Sequence, residues 1–181
     1  MKKLFLLGLA VILFTACQNK PERYTTTSPN IDEIKALVAD YNAGNWEGWL
    51  SHYGDSAMVY HNTWDNGSTP EELANSLKGT LENASSYGFA EKDSNGGDNV
   101  FYEQTIDDDG LTWVNFWGDW RGTLAANGQE LEIPVHLSIQ MKDGKIHREY
   151  GFYDLSKYVL ALQAIEAAKA AAEESNEDES M

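Results

Sequence analysis

The chain has 181 residues, with 13 basic against 29 acidic side chains and a formal net charge of −16. That balance argues against a nucleic-acid partner, because phosphate binding draws on Lys and Arg, and it favours solubility over attraction to an anionic surface. A single cysteine excludes an internal disulfide.

Lys2-Lys3 makes a basic start, and Leu4 to Phe14 is an apolar run. At about 1.5 Å per helical residue the run is too short to cross roughly 30 Å of hydrocarbon, so it reads as a secretory signal. Phe14-Thr15-Ala16-Cys17 resembles a bacterial lipoprotein box. The resemblance implies removal of residues 1–16 and a lipidated Cys17 as mature N-terminus. Ordinary signal cleavage beside an incidental cysteine is the alternative. Each acyl CH₂ buried contributes about 0.8 kcal/mol, so several chains would anchor the protein firmly. Gln18 follows rather than Asp, which by the bacterial sorting pattern implies the outer membrane of a Gram-negative cell. Residues 17–29 are polar, contain Pro21 and Pro29, and read as a tether.

The folded domain is expected over residues 30–172, a size suited to one compact unit. Asn30 is a candidate N-cap for a helix whose apolar face is Ile34, Leu37, Val38 and Tyr41. Gly44 stops it. Trp46 to Tyr53 reads as a second short helix, with Trp46 and Trp49 as core filling. Ser56 to His61 is a strand in which Ala57, Val59 and His61 share one face. A loop carrying Trp64 and Asp65 follows. Thr69-Pro70-Glu71-Glu72 combines a capping box with proline at the first helical position, and Leu73, Leu77 and Leu81 continue that helix. Phe89 to Ile106 holds one or two strands broken at Asn95-Gly96-Gly97, and Asp107 to Gly110 is a turn.

Three antiparallel strands come next. Leu111–Leu124 and Leu131–Met141 are joined by a turn at Asn127-Gly128, and Asp143-Gly144 leads to Ile146–Asp154. Strict alternation puts Val114, Phe116, Trp120, Ile133, Val135, Leu137, Ile139, Met141, Ile146, Tyr150, Phe152 and Asp154 on an apolar face. Trp113, Trp117, His136, Glu149 and Tyr153 fall on the other. Asp154 and Arg148 are exceptions on the apolar face. A buried carboxylate is costly unless paired or hydrogen-bonded, so Asp154 either faces a pocket or caps the following helix. A β-bulge would exchange the faces and move His136 inward. Leu155, Tyr158, Val159, Leu162 and Ile165 form an amphipathic helix, and residues 173–181 are expected to be an acidic, disordered tail.

The four histidines lack metal-ligand spacing, and no nucleophile elbow, phosphate loop or dinucleotide fingerprint is present, so no metal or cofactor is expected. The element order predicts an α+β fold with helices covering one face of an antiparallel sheet.

Tyr41-Asn42-Ala43-Gly44-Asn45-Trp46, Tyr53 through His61, and Met141 through Asp154 together resemble the nuclear transport factor 2-like superfamily. This is the fold of SnoaL-like polyketide cyclases and ketosteroid isomerases. The resemblance implies a cone-shaped curved antiparallel sheet with helices packed on its concave face. It implies an acid/base role for Asp154, an aromatic partner in Tyr150, and a proton-shuttling position at His61, where the isomerases have a carboxylate. Leu137 stands where the isomerases have a second acid, which argues against steroid isomerase chemistry. A homodimer through the outer sheet face is also implied.

The expectation is a lipid-anchored domain binding a small apolar or aromatic ligand. His61 and Asp154 are the candidate catalytic residues, and Trp64, Phe116, Trp120, His136 and Tyr150 the candidate ligand-binding residues. A proton-transfer enzyme (cyclase, isomerase or dehydratase) and a non-catalytic dimeric interaction module are the alternatives.

Overall fold

The computed structural model describes residues 23–90, 92 and 97–179. The signal over 1–16, the lipidation site Cys17, the tether as far as residue 22 and the break at Asn95-Gly96 lie outside the described residues.

The elements are β1 (Tyr24–Thr25), α1 (Pro29–Ala43), α2 (Trp46–Ser51), β2 (Tyr53–His61), α3 (Pro70–Leu81), β3 (Ala84–Phe89), β4 (Val100–Ile106), β5 (Thr112–Leu124), β6 (Glu130–Lys142), β7 (Lys145–Tyr153) and α4 (Ser156–Glu179). One seven-stranded sheet runs β1-β4-β5-β6-β7-β2, and β3 pairs the far end of β5. All pairs are antiparallel except β2 with β7. The architecture is α+β, with helices on the concave face of a curled sheet.

The core forms where two apolar periodicities meet. Ile31, Ile34, Leu37 and Val38 of α1 recur at helical spacing, and Val114, Phe116, Ile139 and Ile146 of the sheet alternate; all are buried. Each such side chain contributes roughly 1.5–3 kcal/mol on leaving water. Ser28 caps α1, its hydroxyl accepting from Ile31 N at 3.1 Å with Pro29 at the first turn. Asn30 instead donates to Gln104 Oε1 at 3.0 Å. Gly44 ends α1 at φ 65, a left-handed cap. The capping box of α3 is present on both sides, Thr69 with Glu72.

Three boundaries differ from expectation. The tether ends early: Tyr24 and Thr25 pair with Thr105 and Gln104, and Arg23 Nε donates to Ile106 O at 2.8 Å. An open sheet edge offers unpaired backbone groups, and β1 takes them. The acidic segment from Glu173, expected to be disordered, continues α4 as helix to Glu179. It extends an alanine- and glutamate-rich run of high helix propensity. The second short helix stops at Ser51, and Tyr53 already pairs with Ile146.

The consequential difference is in β7. Met141 pairs with Ile146, but Gln140 pairs with Arg148, so His147 is an extra residue on β7. This β-bulge reverses every later side chain. Glu149, Gly151 and Tyr153 turn inward, while Arg148, Tyr150 and Phe152 turn outward. The faces read for β5 and β6 hold.

Candidate functional site

The concave face of the sheet and helices α1, α3 and α4 enclose a cavity of ≈170 Å³, partly open to solvent. Leu37, Val38, Leu73, Leu77, Leu81, Phe89, Ile133, Val135 and Leu137 make most of its wall, with Trp49 and Trp120. At one end the wall turns polar, where β2 and β7 lie side by side.

Four side chains there form one hydrogen-bonded chain. Tyr53 Oη donates to Glu149 Oε2 at 2.7 Å. Glu149 Oε1 lies 2.8 Å from His61 Nε2, and His61 Nδ1 lies 2.8 Å from Tyr153 Oη. Glu149 is 2 % exposed and the His61 side chain 15 %. A carboxylate so deeply buried is tolerable because each oxygen has a partner. The parallel pairing of β2 and β7 sets His61 beside Gly151. A Cβ on Gly151 would stand 2.7 Å from His61 Cδ2 and 2.8 Å from Nε2, so only glycine lets the ring lie against β7.

The phenols hold their protons. Burial, reinforced by the Glu149 charge, pushes Tyr53 well above its ordinary value. The same two causes, in the same order, raise Tyr153 to about 12. Burial also raises Tyr41, whose Oη accepts from Trp120 Nε1 at 2.9 Å. These groups therefore act near neutrality as hydrogen-bonding phenols rather than phenolates.

His61 of the expected pair faces the cavity, as the alternation of Ala57, Val59 and His61 indicates. Asp154 does not line it: the carboxylate is exposed and accepts from Ser156 N at 2.8 Å at the start of α4. Hydrogen bonds from the Ser156 side chain and backbone hold it below the usual carboxylate range. Among the expected ligand-binding residues, Trp120 lines the cavity. Phe116 is fully buried in the core, packed edge-on to Phe89 at 5.1 Å. Tyr150 is on the outer face, stacked on Tyr60 at 5.0 Å. Trp64 is 68 % exposed and rests against Tyr150 and Phe152 there. His136 is also outside, stacked on Trp117 at 4.6 Å, with Nδ1 3.1 Å from Phe116 O. Sequence reasoning missed Glu149, Tyr153 and Tyr53, and treated Trp49 as core filling. Among the described residues no group of three or more His, Cys, Asp or Glu side chains is placed to hold a metal.

No family profile and no curated sequence matches the chain. Solved structures do. A proposed SnoaL-like polyketide cyclase from Shewanella denitrificans is 10 % identical at a TM-score of 0.54, covering 76 % of this chain and 99 % of its own. A nuclear transport factor 2-like protein of unknown function from Burkholderia pseudomallei is 11 % identical at a TM-score of 0.54, covering 74 % and 96 %. The chain has the nuclear transport factor 2-like fold. TerC, crystallised with polyporic acid, shares this fold with it at 20 % identity and a TM-score of 0.53, covering 77 % of this chain and 99 % of TerC. In the present member of the fold, the cone encloses the apolar cavity, and the Tyr53–Glu149–His61–Tyr153 chain marks its polar end.

Proposed function

We propose that this domain binds a small, largely apolar ligand in the cone's cavity. One observation carries the reading: an apolar, aromatic space of ≈170 Å³ has one linked polar cluster, Tyr53–Glu149–His61–Tyr153, in its wall. Such a site buries a ring and orients it by one polar contact. SnoaL-like neighbours and TerC with polyporic acid support a small-molecule role for the fold. Trp49 and Trp120 report on occupancy. Titration with a panel of hydrophobic ligands is expected to give saturable quenching; quenching that stays linear for every compound would defeat the reading.

The protein is held to a membrane through lipidated Cys17 in this proposal. Mass spectrometry of the mature chain tests it: an acylated N-terminal Cys17 supports the anchor, and an unmodified one removes it. No helix among the described residues is long and apolar enough to cross a membrane.

Proton-transfer catalysis is the second reading, favoured by the His61–Glu149 contact. The carboxylate orients the imidazole, which then exchanges a proton with bound ligand directly or through Tyr153. Glu149 takes the part first expected of Asp154. Replacement of Asp154 by Asn is expected to leave any turnover unchanged, whereas His61→Gln lowers it at least tenfold.

A further inference from the structure

The polar end of the cavity has an orientation set by counting protons. Glu149 receives the Tyr53 hydroxyl on one oxygen and faces His61 Nε2 with the other. The Glu149–His61 contact needs one proton, on either partner. If the pair holds only that proton, His61 Nδ1 is a lone pair and must accept from Tyr153 O–H. If the pair holds a second proton, Nδ1 becomes N–H and donates to the Tyr153 oxygen. In the one-proton state the proton sits on His61 Nε2 against a Glu149 carboxylate, because a neutral imidazole keeps one N–H; in the two-proton state the result is the same whichever partner carries the shared proton.

The consequence falls on Tyr153. With one proton on the pair, its O–H is committed to His61 and only oxygen lone pairs face the cavity. With two, its oxygen is committed and its O–H is free. We propose that Tyr153 is the cavity's recognition group, an acceptor when the Glu149–His61 pair holds one proton and a donor when it holds two. The ligand it selects is accordingly an uncharged single-ring compound, with a carbonyl preferred at lower pH and the preference lost at higher pH. This rests on the ligand-binding reading above.

Size and charge of the wall fix the rest of the class. A cavity of about 150 Å³ holds a benzene ring in another protein, so ≈170 Å³ suits one ring and a short substituent. The ionisable wall residues are Tyr41 on α1, Tyr53 and His61 on β2, Glu149 and Tyr153 on β7, and Tyr158 on α4. Helix α3 adds only the hydroxyls of Ser76 and Thr80 to the polar lining. Among the described residues no Lys or Arg lines the wall, so a buried anion would have no Lys or Arg countercharge there. Tyr158 Oη donates to Thr80 O at 2.6 Å, and Tyr41 Oη accepts from Trp120 Nε1 at 2.9 Å, so neither is bonded to His61. Tyr153 is the phenol whose bonding depends on the His61 proton.

Three probes of one ring test this: ethylbenzene, acetophenone and 1-phenylethanol, titrated by NMR into the full chain. Histidine ordinarily changes charge between about pH 5 and 8, so the titrations are run at about pH 5.5 and about pH 8.5. Acetophenone should bind roughly tenfold tighter than ethylbenzene at the lower pH and no tighter at the higher. 1-Phenylethanol both donates and accepts, so it should keep its advantage at both. Tyr153→Phe should make the acetophenone-to-ethylbenzene ratio independent of pH, and His61→Gln should do the same. The inference is overturned if the wild-type ratio does not change with pH, or if Tyr153→Phe retains the change while ethylbenzene still binds. If none of the three probes binds, the ligand-binding reading fails and this inference fails with it.

Discussion

At Gly151 the missing side chain is what admits the His61 ring. Gly151→Ala would force the imidazole or the strand to move, since a Cβ at 2.7 Å is inside contact distance. The expected cost is about 1–3 kcal/mol in urea denaturation, with weakened ligand binding. An unchanged midpoint and affinity would mean that the ring does not depend on this approach. Tyr53→Phe strips one donor from the buried Glu149 and should cost about 1–3 kcal/mol. Tyr153 gives a pH prediction. Its folded-state value is raised to about 12 from 10.0, so the folded protein keeps this proton longer than the unfolded chain. The stability it adds is present below about pH 10 and is lost as pH rises towards about 12. Tyrosinate absorbance followed against circular dichroism checks this: Tyr153 should ionise late, as the fold is lost. The inward aim of His61 was legible, because β2 alternates cleanly after Ala57. The role of Glu149 was not, because polar residues on a strand ordinarily mark the solvent face.

Among the elements, β5 and β6 were readable from alternation and from the turns between strands. Asp143 and Gly144 carry positive φ of 52 and 75, as a tight hairpin turn requires. β7 broke the pattern through one extra residue at His147. A signal was available: strict alternation stranded both Arg148 and Asp154 on the apolar face. A one-residue slip removes both anomalies together, at the cost of burying Glu149. The α1–α2 corner holds a second polar cluster. His52 Nδ1 lies 3.0 Å from Glu33 and Nε2 2.9 Å from Asp40. Carboxylates only accept, so both bonds coexist when both ring nitrogens carry protons. Burial works to raise Glu33, but hydrogen bonds from His52 and Lys145 leave it below its ordinary value; the His52 bond does the same to Asp40. Their contribution is present above the ordinary carboxylate range and is lost as pH falls through the lowered values. Acid unfolding of His52→Gln should start at higher pH than that of the wild type.

On the scale of the whole molecule, the curled sheet leaves one face for the cavity and one for water. The outer face exposes Trp64, Phe101 and Trp117 beside Tyr150 and His136. We propose that two copies pair through this face. Sedimentation should give a dimer that Trp117→Glu dissociates; a wild-type monomer would contradict the pairing. The general α+β plan was legible because each element's period agreed with one common core. The N-terminal edge strand and the helical extension to Glu179 were hidden, since neither has the burial that creates a strong period. Filling the cavity is the direct test of the central claim. Leu77 lines it, and Leu77→Trp would occupy the space a ring would take. Ligand titration of this variant, beside wild type and with circular dichroism to verify the fold, should show binding abolished in a folded protein. Undiminished affinity in the filled variant would mean that ligands bind elsewhere.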